Sequence, residues 1–148
     1  MCVEKIKVFL EPFRLELFKP FRISRDVYTH KDGIRVLLKY KGLSGLGEAN
    51  EHLYYHVTQS GLNDDLLKLK KVVEQQALIH PTEMFQLLVK TIGFQPFSLA
   101  AMDIAYWDLY SKSKEVPTRE LFDLTAPPTS SIFSSYTISI DSLEEMRK

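Results

Sequence analysis

Near Tyr55 the spacing of apolar residues changes, and that change leaves few architectures open to this 148-residue chain. Before it, apolar and polar residues alternate, the period of a half-buried strand. Val3, Ile6, Val8 and Leu10 stand among charged residues, and Phe13, Leu15 and Leu17 then alternate with Arg14 and Glu16. Residues 34–40 and 43–49 supply two more runs. After the change, Leu62, Leu66, Leu69 and Val73 recur at helical spacing. Met84, Phe85, Leu87 and Leu88 follow Pro81, and Leu99, Met102, Tyr106 and Leu109 follow Pro96. Strands first and helices after is an α+β order. The expected fold is a three-stranded antiparallel meander followed by a three-helix bundle.

Punctuation refines this outline. Glu11-Pro12 is expected to interrupt the first strand. Residues 22–33 are polar and show no period, so they read as a long loop of the kind that often carries function. Gly42, Gly45 and Gly47 crowd one short stretch. Lys41 and Gly42 read as a hairpin turn, with 43–49 as the returning strand that delivers residues 50–55 to the mouth of a ligand site. Asp64 and Asp65 ahead of Lys68, Lys70 and Lys71 suit the dipole of the first helix. Pro81 suits the first position of the second, which ends near Gly93. Ala100, Ala101 and Ala105 allow the third helix a close approach. Leu121 and Phe122 read as a short apolar plug. Residues 125–131 have linker composition, dividing a domain at 1–125 from a segment at 126–148. Within that segment 132–140 read as a strand. Residues 141–145 read as a helix start, with Ser142 and Glu145 at capping-box spacing. A strand and a helix start after a linker look like the first step of a second domain.

Composition narrows the function classes. Lys+Arg and Asp+Glu are both 19, so no basic excess points to nucleic acid, and no basic amphipathic helix points to a membrane surface. Cys2 is the sole cysteine, which excludes a disulfide scaffold and suits a reducing, cytoplasmic setting. The charged start does not resemble a signal peptide.

The order of pieces resembles one known family. Lys19-Pro20-Phe21, a variable loop, a strand, Gly45-Leu46-Gly47-Glu48-Ala49, helices carrying Ala101-Met102-Asp103-Ile104-Ala105-Tyr106-Trp107-Asp108-Leu109, and Val116-Pro117 follow in sequence. Together they resemble the N-terminal capping domain of the enolase superfamily, in its muconate-lactonizing branch. Ser135-Tyr136-Thr137-Ile138-Ser139-Ile140 resembles the first strand of that family's (β/α) barrel. The branch includes cycloisomerases, o-succinylbenzoate synthases and dipeptide epimerases. The chain looks most like epimerases of the L-Ala-D/L-Glu type, which carry an arginine and then a short run ending Val-Tyr-Thr, here Arg25 and Val27-Tyr28-Thr29. The resemblance implies an isomerase that abstracts a proton next to a carboxylate, with a divalent ion, magnesium, offsetting the charge that develops. The family's bases and metal-binding carboxylates belong to later barrel strands. This chain is therefore expected to hold no catalytic residue and no metal, to be inactive alone, and to serve specificity and water exclusion.

The resemblance also implies two loops over the barrel mouth and a small carboxylate substrate, here an acidic dipeptide. In the first loop Arg25 would hold a substrate carboxylate in a two-point contact. In the second, residues 50–56, Tyr54 and Tyr55 would wall the substrate with His56. Thr137 and Ser139, by strand alternation, would face the same site. Plainer roles stand beside these: a solvated loop arginine, packing tyrosines, Glu48 as a structural hydrogen-bond partner, and Asp103 and Asp108 as polar contacts of a packed helix. His52 and His56 lack a third metal ligand. A (chloro)muconate cycloisomerase or o-succinylbenzoate synthase would share the cap, and a freestanding binding module is the alternative of another class. The strand at 132–140 lacks neighbours and is expected to dock on the cap's own sheet or on a second chain as a dimer.

Overall fold

The computed structural model describes residues 4–24, 26–122, 133–135 and 137–147, with the Glu145 side chain set aside. Strands β1 (Lys7–Arg22), β2 (Val27–Tyr40) and β3 (Leu43–Asn50) form one antiparallel sheet in the order β1-β2-β3. Helices α1 (Gln59–Gln75), α2 (Pro81–Ile92) and α3 (Pro96–Ser113) follow. The remaining described elements are 3₁₀ turns at Leu53–Tyr55 and Thr118–Phe122, and a one-turn helix, α4 (Leu143–Met146). No helix among the described residues is long and apolar enough to cross a membrane.

The β2–β3 turn uses Lys41 and Gly42 at φ 49° and 77°, the twist-matched geometry of tight hairpins. Alternation then sorts the faces. Ile6 and Val8, Ile34, Val36 and Leu38, and Gly45, Gly47 and Ala49 are buried under the helices. Leu62, Leu66, Leu69 and Val73 of α1, Met84 and Leu88 of α2, and Leu99, Met102, Tyr106 and Leu109 of α3 close the core. Tyr106 is fully buried and satisfies its hydroxyl on one residue. It accepts from the Ile79 amide at 3.1 Å and donates to the Ile79 carbonyl at 3.2 Å. Burial pushes this phenol up to about 12. Tyr106→Phe keeps the ring but unpairs both Ile79 groups, and is expected to remove ~1–2 kcal/mol. In urea the unfolding midpoint should fall with its slope unchanged, and an unmoved midpoint would assign the hydroxyl no stabilising role.

Helix side chains close both outer edges of the sheet. At β1, the Val8 amide donates to Glu74 Oε1 at 3.0 Å, and Lys70 Nζ donates to the Val8 carbonyl while pairing with Glu74 at 2.6 Å. At β3, the Leu46 amide donates to Asp108 Oδ2 at 3.0 Å, and Lys112 Nζ reaches the Ser44 carbonyl at 2.9 Å and Asp108 at 2.8 Å. In each case an acid and a lysine one helical turn apart take the place of a missing strand.

Several local expectations need correction. Pro12 does not interrupt β1, because β1 is an edge. Val8 points its backbone groups outward to α1, and Pro12 shares that orientation, where a missing N–H breaks no ladder bond. Residues 22–33 are not a long loop: the β1–β2 ladder continues to Arg22 opposite Val27, so only 23–26 connect the strands. β3 pairs with β2 no further out than Gly33. The outer hairpin is therefore mostly exposed on both faces and loses the two-residue period. Helix α1 starts at Gln59 under a Thr58 cap that accepts from the Gly61 amide at 3.1 Å, which leaves Asp64 and Asp65 beyond an acid-free first turn. Of the expected strand at 132–140, residues 132 and 136 lie outside the described residues, and 133–135 and 137–140 carry no ladder. It hydrogen-bonds the sheet through Ser139 and Ile140, both of which meet the backbone of Arg22. The linker at 125–131, Cys2 and the Glu145 half of the capping box also lie outside what is described.

Candidate functional site

Two loops stand at the ends of the strands. The first closes the β1–β2 hairpin. Ile23 donates its amide to the Asp26 carbonyl at 2.9 Å, and the Val27 amide donates to Asp26 Oδ1 at 2.8 Å. Arg25, the candidate carboxylate ligand, lies outside the described residues. Further down the arm Arg14 faces Asp32 across the ladder and donates to it twice, both at 2.7 Å. Those hydrogen bonds hold the Asp32 carboxyl below its ordinary range, against the opposing effect of burial. The arm is thus braced by a planar two-point pair.

The second loop is compact. His52 and Val57 exchange backbone hydrogen bonds at 2.9 and 3.1 Å, and His56 closes the 3₁₀ turn at φ 56°. This folding turns Tyr54 and Tyr55 outward, 64% and 59% exposed. Their rings meet edge to face at 4.9 Å, and Tyr55 rests against His52 at 4.7 Å and Phe97 of α3 at 5.8 Å. The His52 Nδ1 atom is buried and has no hydrogen-bond partner among the described residues. Two amphipathic rings are therefore presented to solvent on a fixed base.

The predicted residues do not share one cleft. Tyr55 lines an opening of about 510 Å³ with Phe97 and the starts of α1 and α3. Thr137 lines a larger cleft, about 870 Å³, against Leu17, Phe18, Pro20 and Phe21 of β1. The β1–β2 register shifts there, between Glu16 and Phe21. Lys31 is the link that sequence reasoning missed. It lines the Thr137 cleft and also a third of about 310 Å³ beside Asn50, Glu51 and His52, with its Nζ 3.9 Å from the Tyr28 ring centre. Nothing in the polar, aperiodic run 22–33 marks it in the sequence.

The other acids resolve differently. Asp108 is a polar contact of a packed helix, as expected. Asp103 is half-buried with no partner among the described residues, and burial pushes its carboxyl up. The Glu48 carboxylate is exposed on β3 and makes no hydrogen bond there among the described residues. No group of three or more His, Cys, Asp or Glu among the described residues could hold a metal ion, so these residues do not fit a magnesium site.

Comparison with known proteins bears on this arrangement. No family model matches the chain. It is 30% identical over 141 residues to an L-Ala-D/L-amino acid epimerase of Flavobacterium johnsoniae, a match covering 95% of this chain and 41% of that protein. The crystal structure of a dipeptide epimerase from Cytophaga hutchinsonii, complexed with Mg and D-Ala-L-Val, superposes with a TM-score of 0.82 at 22% identity. That match covers 98% of this chain and 39% of the other. An enolase family member from Agrobacterium tumefaciens, with bound sodium and L-Ala-L-Glu, superposes with a TM-score of 0.79 at 22% identity, covering 95% of this chain and 40% of that one. The chain thus spans about two-fifths of the proteins it matches. It is similar along nearly its whole length to L-Ala-D/L-amino acid epimerases, and it shares the α+β fold of strands then helices with the dipeptide epimerase and enolase family structures.

Proposed function

We propose that residues 1–125 are the substrate-specificity cap of a dipeptide epimerase, and that 126–148 lead into its barrel. The observation that supports this reading most is the 95% coverage of this chain by an epimerase homologue more than twice as long. The two loops supply the contacts. Arg25 at the hairpin end binds the side-chain carboxylate of an acidic dipeptide, Tyr54 and Tyr55 wall it, and Thr137 lines the floor. The base and any metal site come from the barrel, since the described residues offer no donor set for one.

The test is a chimera. This chain replaces the matching part of the F. johnsoniae epimerase, and α-proton exchange of L-Ala-L-Glu is followed in D₂O by NMR with magnesium present. The chimera is expected to exchange the α-proton, whereas the 148-residue chain alone is not. Arg25→Ala should lower kcat/KM for L-Ala-L-Glu about 10- to 100-fold, the worth of one charge-assisted two-point contact. L-Ala-L-Val should change by no more than about threefold. A folded chimera that treats both dipeptides alike, with or without Arg25, would sink the reading.

A further inference from the structure

The β1 edge is closed twice, and the second closure has an unusual source. At Val8 the cap's own helix α1 supplies Lys70 and Glu74. At Arg22 the partners come from 117 residues downstream. The Arg22 amide donates to Ser139 Oγ at 2.7 Å, the same hydroxyl donates back to the Arg22 carbonyl at 3.3 Å, and the Ile140 amide donates to that carbonyl at 2.9 Å. Both backbone groups of one residue are thereby satisfied, with a side-chain hydroxyl standing in for the backbone of a neighbouring strand.

Arg22 is also the last paired residue of β1. It sits opposite Val27, and the Ile23–Asp26 hydrogen bond closes the hairpin directly beyond it. Below this point the register shift between Glu16 and Phe21 breaks the ladder, so the hairpin end has few ladder bonds of its own. The contact with 139–140 adds hydrogen bonds there from outside the sheet.

We propose that Ser139 is a positioning residue: its hydroxyl latches Arg22 and so sets where Ile23 and Asp26, which close the hairpin, stand relative to the downstream segment. The value of this latch to substrate selection rests on the cap reading above; the latch itself does not. Amide exchange by NMR on the 148-residue chain tests it. Ser139→Ala should speed exchange at Arg22 and Ile23 by roughly tenfold, while Val36 and Leu38 in the core ladder stay within about twofold. Ser139→Thr, which keeps the hydroxyl, should restore protection. Unchanged exchange at Arg22, acceleration at Val36 and Leu38 to the same extent, or failure of threonine to rescue would each overturn the latch. The chimera assay fails or succeeds independently: a protected Arg22 amide in a cap that confers no dipeptide preference would discard the substrate role and keep the latch.

Discussion

Gly47→Ala should destabilise the chain by about 3 kcal/mol, the upper range for overpacking a core. A Cβ at Gly47 would stand 2.1 Å from the Ala101 carbonyl oxygen and 2.9 Å from the Ala105 amide nitrogen. Both are backbone atoms of α3, so no side chain can turn aside. Gly45 is built the same way, with the Ala105 carbonyl oxygen at 2.1 Å and the Leu109 amide nitrogen at 2.7 Å. The two glycines of β3 and the alanines of α3 form one seam in which helix backbone lies directly on strand backbone. Relieving the clash means lifting α3, and with it Met102, Tyr106 and Leu109, off the sheet. A thermal melt should drop by roughly 6–12 °C. Gly42→Asn is the control: at φ 77° it needs a residue tolerant of left-handed backbone, but nothing lies within 4 Å of its Cβ position. A Gly47→Ala melt within about 2 °C of the parent would refute the seam.

Glu74→Ala should cost about 2 kcal/mol, because it strips the Val8 amide and the Lys70 ammonium of a partner together. The pH dependence carries a sign. Burial alone would raise the Glu74 carboxyl, but hydrogen bonds from Lys70 and from the Val8 amide outweigh it and hold the group below its ordinary value. A carboxylate lowered on folding stabilises fully above its unfolded value and loses that contribution as pH falls through the folded one. The parent should therefore lose stability relative to Glu74→Gln as pH drops below about 4.3, the ordinary glutamate value. Above it, their difference should be constant. Urea midpoints measured at a series of pH values check this, and curves that run parallel through the acid range would remove Glu74 from the edge closure.

Much of the fold was legible because its signals are local. The alternation of Ile34, Val36 and Leu38, the helical spacing of Leu62, Leu66, Leu69 and Val73, the Lys41–Gly42 turn and the prolines opening α2 and α3 each act over a few residues. So did the expectation that Ala101 and Ala105 permit a close approach. The second loop was legible as a loop: residues 50–56 follow the third strand, and Tyr54 and Tyr55 stand exposed in it. The cleft that each residue joins could not be read, because Tyr55 and Thr137 line different openings and Lys31 lines the Thr137 cleft and a third.

Local pattern thus settled the α+β order, the buried faces of the core strands and the order of the three main helices, since hydrophobic period and turn chemistry depend on near neighbours. Long-range contact settled the rest. Whether Pro12 breaks a strand depends on which strand lies beside it. Whether Gly47 turns the chain or admits a helix depends on what lies above it. The edge-closing partners that Glu74, Asp108 and Ser139 take could not be read from their local sequence, and those roles follow from where the sheet runs out of strands. An unpaired backbone group must find a partner, and the residue that supplies it is chosen by the packed chain as a whole.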